Sequence, residues 1–387
     1  MPTNNNDTIN ITAGQEVYGL NGADVFYYKG GTAVIHGGDL SENYDPNVYG
    51  DKTGGDRLIV QLNTGVQVNF TSSEDGTVKS NTGTLTFDGI ERVELGSGND
   101  TVNAANAFLE KAHGGTPVHG LTIYTGAGND SIIGTKGEDF IDGGAGNDTI
   151  RAGDGNDFIQ SSTGNDSIDG GAGDDNIRWG QGNFNEVVGN DTISGGAGHD
   201  LINVWIKDGY LANGPGVEVD ILTIQASGSY SGRAETDIGG AHSTLQFSNF
   251  EQTWTHEGRD TIDGSGAKVL GDAGFHGNGR WGDDILKGSA GNDTLEGGTG
   301  RDTITGGAGN DLISANGEFY NWNSQGDGEV DTLIFRGAFG HDTVLAFDVG
   351  VDKLDFGGAR YTVSETSQGT LLTIGQNSVL LANVFDW

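Results

Sequence analysis

Cysteine is absent from the 387 residues, which excludes disulfides, zinc–thiolate sites and thiol chemistry. A protein of this sequence working outside the cell needs some other staple. Proline numbers only 4, so collagen and proline-rich linkers are excluded. Lys and Arg total 19 against 55 Asp and Glu, a formal net charge of −36. Such a chain suits neither nucleic acid, which needs cations against phosphate, nor anionic lipid surfaces. Divalent cations are its natural partners. No apolar run reaches the ~18 residues of a membrane helix. Met1–Asn10 is polar, with neither a basic nor an apolar segment, so no Sec-type leader is read there. Export would then depend on a signal elsewhere in the chain. Helix signals are nearly missing; only Ala104–Ala112 reads as a short helix.

What the chain has in excess is glycine, 71 residues, far above the typical share of about 7%. Asp outnumbers Glu by 39 to 16. The shorter carboxylate favours turns and metal ligation over helices. The length fits two or three domains or one long repeat array.

Self-similarity decides for the array. Residues 125–178 divide without a gap into six nonapeptides: TGAGNDSII, GTKGEDFID, GGAGNDTIR, AGDGNDFIQ, SSTGNDSID and GGAGDDNIR. The shared form is G-G-x-G-x-D-x-U-x, with U a large apolar residue. EVVGNDTIS and GGAGHDLIN follow at 186–203. THEGRDTID stands at 255–263, and four contiguous units fill 279–314. Degenerate copies occur at Gly19–Tyr27 and Leu95–Asn103. The pattern resembles the RTX (repeats-in-toxin) calcium-binding repeat family.

The residues carry a physical reading of their own. Each unit is six turn formers followed by three extended residues. Such a strand is too short to stand alone and must stack. Two units make an 18-residue coil, and coils stack at the ~4.8 Å strand spacing. Ile132, Ile141, Ile150, Ile159, Ile168 and Ile177 then point inward as a thin apolar core. Asp130, Asp148 and Asp166 fall in one column, and Asp139, Asp157 and Asp175 in the opposite one. In the second block Asp284 sits over Asp302, and Asp293 over Asp311. Calcium takes six to eight oxygens at about 2.3–2.6 Å in tolerant geometry, which stacked carboxylates and turn carbonyls offer; Mg²⁺ demands a tighter octahedron. The expected ligands are Asp130, Asp139, Asp148, Asp157, Asp166, Asp175, Asp191, Asp200, Asp260, Asp284, Asp293, Asp302 and Asp311, holding several Ca²⁺ ions. Without cations the array repels itself and stays unfolded.

A longer repeat lies outside the units. Asp56–Gln61 resembles Asp220–Gln225, and Thr84–Phe87 with Ile90-Glu91 resembles Thr244–Phe247 with Phe250-Glu251. Alternation and abundant Thr, Val and Ile read these as strands, so a β-rich insert enters a calcium block twice. The tail contains Val330–Phe335, Phe339–Val344, Phe347–Leu354, Gly369–Ile374 and Ser378–Phe385. It looks like the C-terminal flank of RTX proteins of the serralysin type. That resemblance implies a cap on the last coil and an uncleaved type I secretion signal, with the acidic and apolar ending Phe385-Asp386-Trp387. Capping alone also answers the exposed edge of a solenoid.

Catalytic motifs do not appear. His256-Glu257 has no second His for a zinc-protease helix, and Gly228–Gly232 has Tyr230 where a hydrolase elbow has Ser. Asp45-Pro46 continues as Asn47-Val48, unlike RTX-bearing alginate epimerases. His113 and His119 share a loop and read as exposed residues or ligands. Trp179, Trp205, Trp254, Trp281 and Trp322 lie in or beside insertions. They either pack the inserts or stack on sugar rings, where Glu186, Asp208 and His256 would join them.

The sequence is thus read as all-β, a right-handed parallel β-roll, or β-solenoid, in two calcium-binding blocks with β-rich insertions and a C-terminal β cap. Its segments are a degenerate N-terminal region (1–124), a first calcium block (125–203), an insertion (204–257), a second calcium block (258–314) and the cap with secretion signal (315–387). The expected protein is secreted or at the surface of a bacterial cell, folds on Ca²⁺, and is structural or adhesive. The alternative is a polysaccharide-binding or polysaccharide-modifying protein on the same solenoid. Expected partners are calcium and the type I export machinery, with polysaccharide or another copy of the chain beyond them.

Overall fold

A three-residue strand cannot satisfy its own backbone groups, so each must find them in the coil before and the coil after. The computed structural model shows how. It describes residues 6–20, 22–38, 55–72, 74–107, 119–180, 188–204, 223–228, 232–238, 241–248, 250, 252–255, 257–267, 273–316, 326–385 and 387. The described residues are all-β, with no helix. The first residues of the expected Ala104–Ala112 helix form a turn instead, up to Ala107, and 108–112 lie outside the described residues. Asn103 takes the Ala105 amide with its side chain at 3.1 Å, a local bond that competes with helix formation. No described helix is long and apolar enough to cross a membrane.

The chain divides into two units, residues 1–181 with 188–200, and 182–187 with 201–387. In the first unit, Thr8–Ile11, Val25–Tyr28, Arg57–Val60, Arg92–Glu94, His119–Tyr124, Glu138–Asp142, Phe158–Ser161 and Asn176–Trp179 pair in parallel, each with the next. Thr101–Asn103, Ser131–Ile133, Thr149–Asp154, Ser167–Ala172 and Asn190–Ala197 do the same in a second sheet. Ser131 lies against Thr149, and Thr149 against Ser167, each pair 18 residues apart. The structure is therefore a parallel β-roll with the 18-residue coil that the repeat predicts.

The U residues stack in two inward rows. Ile132, Ile150, Ile168 and Ile193 follow one another in one sheet, and Ile123, Ile141, Ile159 and Ile177 in the other. All are essentially buried, because alternate strand residues face opposite sides.

Gln67–Phe70, Gly76–Lys79 and Thr84–Asp88 form an antiparallel meander whose first strand joins Thr101–Asn103 in parallel. The second unit repeats it. Thr223–Gly228, Gly232–Ile238 and Ala241–Ser248 are antiparallel, and the first joins Thr261–Ala267 in parallel. The Thr84 and Thr244 segments thus hold the same place, the third meander strand. Their openings do not: Arg57–Val60 is a roll strand, whereas Thr223–Gly228 begins the meander.

The second unit continues as a roll through Thr261–Ala267, Ile285–Lys287, Thr303–Thr305, Thr332–Ile334 and Lys353–Asp355. Its opposite sheet runs through Gln252–Trp254, Ala273–Asn278, Asn292–Glu296, Leu312–Ser314 and His341–Leu345. Thr362–Thr366, Gly369–Ile374 and Asn377–Ala382 close it as an antiparallel cap. The cap turns back the strand edge that would otherwise invite another chain.

Ile159 is 0% exposed, with stacked isoleucines on either side. Ile159→Ala is expected to destabilise the calcium-loaded protein by about 2–5 kcal/mol, measured by urea unfolding. Ser167→Ala, on the solvent side of a neighbouring strand, should change it by less than about 0.5 kcal/mol.

Candidate metal centre

All thirteen expected ligand aspartates are buried, although they sit in turns. Ten lie just before a strand, and Asp139, Asp191 and Asp293 are the second residue of one; each lays its carboxylate against the coil before it. The Asp130 N–H donates to Asp148 Oδ1 at 2.8 Å, Asp148 to Asp166 at 2.9 Å, and Asp166 to Asp191 at 2.6 Å. In the opposite column Asp139 donates to Asp157, Asp157 to Asp175 and Asp175 to Asp200, at 2.7–2.9 Å. The second unit has Asp260, Asp284 and Asp302 in one ladder and Asp293 with Asp311 in the other. Within each block these are the columns expected from the 18-residue period, and Asp191, Asp200 and Asp260 join them across 25, 25 and 24 residues.

The ladders extend beyond the repeats. Asp7, Asp24 and Asp56 precede them, each donating to the next, and Glu91 stands where an Asp would be. Asp100 heads the Asp130 column. Asp331, Asp342 and Asp352 continue the second unit. Sequence reasoning did not place these residues as ladder members. Asp24 and Asp100 stand at the sixth position of the degenerate copies Gly19–Tyr27 and Leu95–Asn103; the other aspartates show Asp-x-U alone, as in Asp331-Thr332-Leu333, with irregular spacing because insertions lengthen those coils. A second ladder also went unread. The Asn147 N–H donates to Asn129 Oδ1, Asn165 to Asn147 and Asn190 to Asn165. It runs opposite to the Asp ladder, so the turns of this column are tied in both directions.

The glycines follow from this packing. A β-carbon on Gly143 would lie 2.6 Å from Asp148 Oδ2 of its own unit. One on Gly146 (φ +132°) would lie 1.8 Å from the Gly128 carbonyl oxygen one coil earlier. Only glycine allows both the close approach and the positive φ.

The second carboxylate oxygen divides the candidates. In Asp175, Asp284, Asp302 and Asp311, as in Asp24, Asp100, Asp331 and Asp342, Oδ2 is buried with no hydrogen-bond partner among the described residues. In four others the protein supplies one. Asp139 Oδ2 takes the Thr135 N–H at 2.6 Å and its hydroxyl at 3.1 Å, and Asp293 Oδ2 takes the Ser289 N–H at 2.6 Å while the Ser289 hydroxyl donates to Oδ1. Asp166 takes the Ser161 hydroxyl at 2.9 Å, and Asp191 the Trp179 indole N–H at 2.5 Å. In the first three cases a hydroxyl residue stands where the consensus has one of its two leading glycines.

Energetics decide whether the ladder is self-sufficient. A hydrogen bond to a charged group contributes about 1.5–3 kcal/mol, but burying an uncompensated carboxylate costs several kcal/mol. Burial, and then like-charged neighbours, push Asp148, Asp175, Asp191, Asp302 and Asp311 up to about 7. Asp331 and Asp342 rise to about 8 for the same reasons, and Asp284 is raised by burial and by Asp260. Buried, unsatisfied anionic oxygens fit a hard divalent cation. No group of three His, Cys, Asp or Glu side chains converges among the described residues. The carboxylates would therefore hold Ca²⁺ together with turn carbonyls and water, and when bound it supplies the positive charge the columns lack.

The aromatic residues divide as well. Trp179 is 0% exposed and offers no face to a sugar. Phe140 and Phe158 stack on each other at 5.1 Å, with the Arg178 guanidinium over Phe158 at 4.6 Å. Trp281 is 46% exposed. Trp205, Trp322, Glu186, Asp208, His256 and His113 lie outside the described residues, as does the side chain of His119.

The raised carboxyls set a pH dependence. Their folded values lie above the unfolded one near 3.9, so the metal-free roll binds more protons than the unfolded chain. The stability this confers is full below about pH 4 and is lost as pH rises through 7 to 8. In chelator, β-sheet circular dichroism and resistance to urea should therefore increase between pH 8 and pH 5; an unchanged or opposite trend contradicts the burial of these carboxyls.

Comparison with known proteins agrees with the site. The RTX calcium-binding nonapeptide repeat family matches at four places, residues 122–150, 151–183, 188–204 and 278–313. Asp260 lies outside them. No curated protein matches the chain. Among solved structures, the extracellular lipase LipA from Serratia marcescens aligns with 93% of this chain and 65% of its own, at 15% identity and a TM-score of 0.23. The chain thus spans just under two thirds of that lipase's length. The four matched stretches contain Asp130 through Asp200 and Asp284 through Asp311, and they are RTX calcium-binding nonapeptide repeats, which bind several Ca²⁺ ions.

Proposed function

We propose that this calcium-binding β-roll protein is secreted unfolded and folds on extracellular Ca²⁺, there to serve a structural or adhesive role. The observation that carries the reading is the row of buried aspartates whose second oxygen has no partner. A chain of net charge −36 gains little from closing such columns until cations arrive. The ions would lie at Asp175, Asp284, Asp302 and Asp311, whose second oxygens are unpartnered among the described residues, and the repeat adds Asp130, Asp148, Asp157, Asp200 and Asp260 as further ligands. Asp139, Asp166, Asp191 and Asp293 would act chiefly as ladder residues, since Thr135, Ser161, Trp179 and Ser289 already occupy their second oxygens. A second reading, a polysaccharide-binding protein on the same solenoid, is favoured by the exposed Trp281.

Circular dichroism against free calcium tests the first reading. The chain should be largely disordered in chelator and gain β-structure near 10⁻⁴–10⁻³ M, roughly the range of extracellular calcium modules. Asp175→Asn keeps the oxygen that caps the Asp157 amide but removes the charge, and should raise the midpoint severalfold. Asp154→Asn, at the exposed end of the strand Thr149–Asp154, should leave it nearly unchanged. Ser161→Gly removes the hydroxyl that donates to the second oxygen of Asp166 and should increase the number of ions bound. Equal midpoints for the two Asp variants would mean that the columns are turn chemistry alone.

Secretion has its own test. The cap strands Gly369–Ile374 and Asn377–Ala382 fall within the expected export signal. Deleting Gly369–Trp387 should leave the protein inside cells that carry the matching type I exporter, measured as the fraction in the medium. Undiminished export would place the signal elsewhere.

A further inference from the structure

We propose that Trp254, Arg280, Trp281 and Glu296, with His276 and Asn278, form a binding site for a carboxylate-bearing sugar unit of an acidic polysaccharide. The inference deepens the polysaccharide reading and rests on it.

Three observations converge. First, Arg280 stands in the second position of its repeat turn, where the next coil has Gly298. It keeps the left-handed conformation of that position, φ +68°, against +107° at Gly298. A side chain rarely accepts this conformation, and such outliers persist where surrounding structure holds them. Here the Arg280 N–H donates to Asn278 Oδ1 at 3.0 Å, and the Thr299 N–H donates to the Arg280 carbonyl at 2.9 Å. Glycine would serve the fold at this position without strain.

Second, the guanidinium lies between two indoles, 4.9 Å from the Trp254 ring and 5.6 Å from that of Trp281. Among the described residues it has no carboxylate partner. In a chain of net charge −36 this is unusual; Arg301 pairs with Asp283, and Arg336 with Asp355. The rings hold the fork in place and leave its N–H donors to a planar anion, the geometry that suits a carboxylate.

Third, polar groups that read hydroxyls lie on the adjoining strands. Asn278 donates its amide to Glu296, and His276 Nε2 is 3.4 Å from Glu296 Oε1. Glu296 is 3% exposed and Trp281 46%. An oriented carboxylate in one row with Asn278 and Trp254, and a half-exposed indole at the same guanidinium, match a sugar ring, whose C–H face stacks on the aromatic while its hydroxyls take hydrogen bonds. The same nonapeptide supplies Asp284, so the site assembles only when that turn closes.

The test uses the full calcium-loaded chain. Its probes are a hexasaccharide of alternating glucuronate and N-acetylglucosamine and the uncharged cellohexaose. Tryptophan fluorescence and calorimetry should show saturable binding of the acidic oligomer, weakened roughly tenfold or more in Arg280→Gly and in Trp281→Ala. Because Arg280→Gly restores the turn's usual glycine, its calcium midpoint by circular dichroism should stay the same or fall. Failure of calcium-coupled folding would show in that midpoint and is thereby separated from failure of the sugar site. The proposal is overturned by no binding of the acidic oligomer, by equal binding of cellohexaose, or by undiminished binding to Arg280→Gly. A raised calcium midpoint in Arg280→Gly would also overturn it, by placing the arginine in folding.

Discussion

Each turn of the roll buries a carboxylate against the backbone of the coil before it, and the rest of the structure depends on that placement. The aspartate satisfies an amide that the short strand leaves open. It also brings a charge into a column of like charges. The first effect favours stacking at every coil, and the second accumulates along the column. Glycine and asparagine follow from the same geometry. The leading glycine leaves room for the carboxylate, the φ-positive glycines let the coils approach, and the asparagine ladder ties the turns of its column from the other side.

The hydroxyl-bearing turns show how the chain varies this balance. Thr135, Ser161 and Ser289 replace a glycine and donate to the aspartate of their own unit, while the Trp179 indole does so for Asp191. A neutral donor satisfies the oxygen without cancelling its charge, and Asp191 still rises to about 7. Such turns lower the demand on a cation locally and leave the column's repulsion in place. The array is therefore not a row of identical sites, although the repeat makes it look like one.

Insertions lengthen coils without breaking the ladders. Asp100 reaches Asp130 across 30 residues and Asp311 reaches Asp342 across 31, with the same bond that spans 18 residues inside a block. What the roll conserves is the closing geometry of each coil, not the length of chain between closures. The meander of Gln67–Asp88 in the first unit and that of Thr223–Ser248 in the second use this freedom, and Arg280 with its two tryptophans decorates a turn of the second unit.

The sequence by itself determined the coil. A nine-residue period with apolar residues at one position sets strand, turn and stacking register, because any other register would expose Ile132, Ile141 and their equivalents. It also placed ten of the thirteen aspartates in columns and the other three at the same position of their units. Only the tertiary structure decided what each carboxylate oxygen does, since that depends on neighbours 18 or more residues away and on whether a hydroxyl reaches it. The ladder aspartates at 56, 331, 342 and 352 were hidden for the same reason: Asp-x-U is too short a signal once the spacing is irregular. The Ala104–Ala107 segment shows the converse, a local helix preference overruled by an asparagine side chain and by the need to leave the strand at Asn103. The grouping of Trp254, Arg280 and Glu296 joins residues from three coils, which no reading along the chain brings together before the coils are stacked.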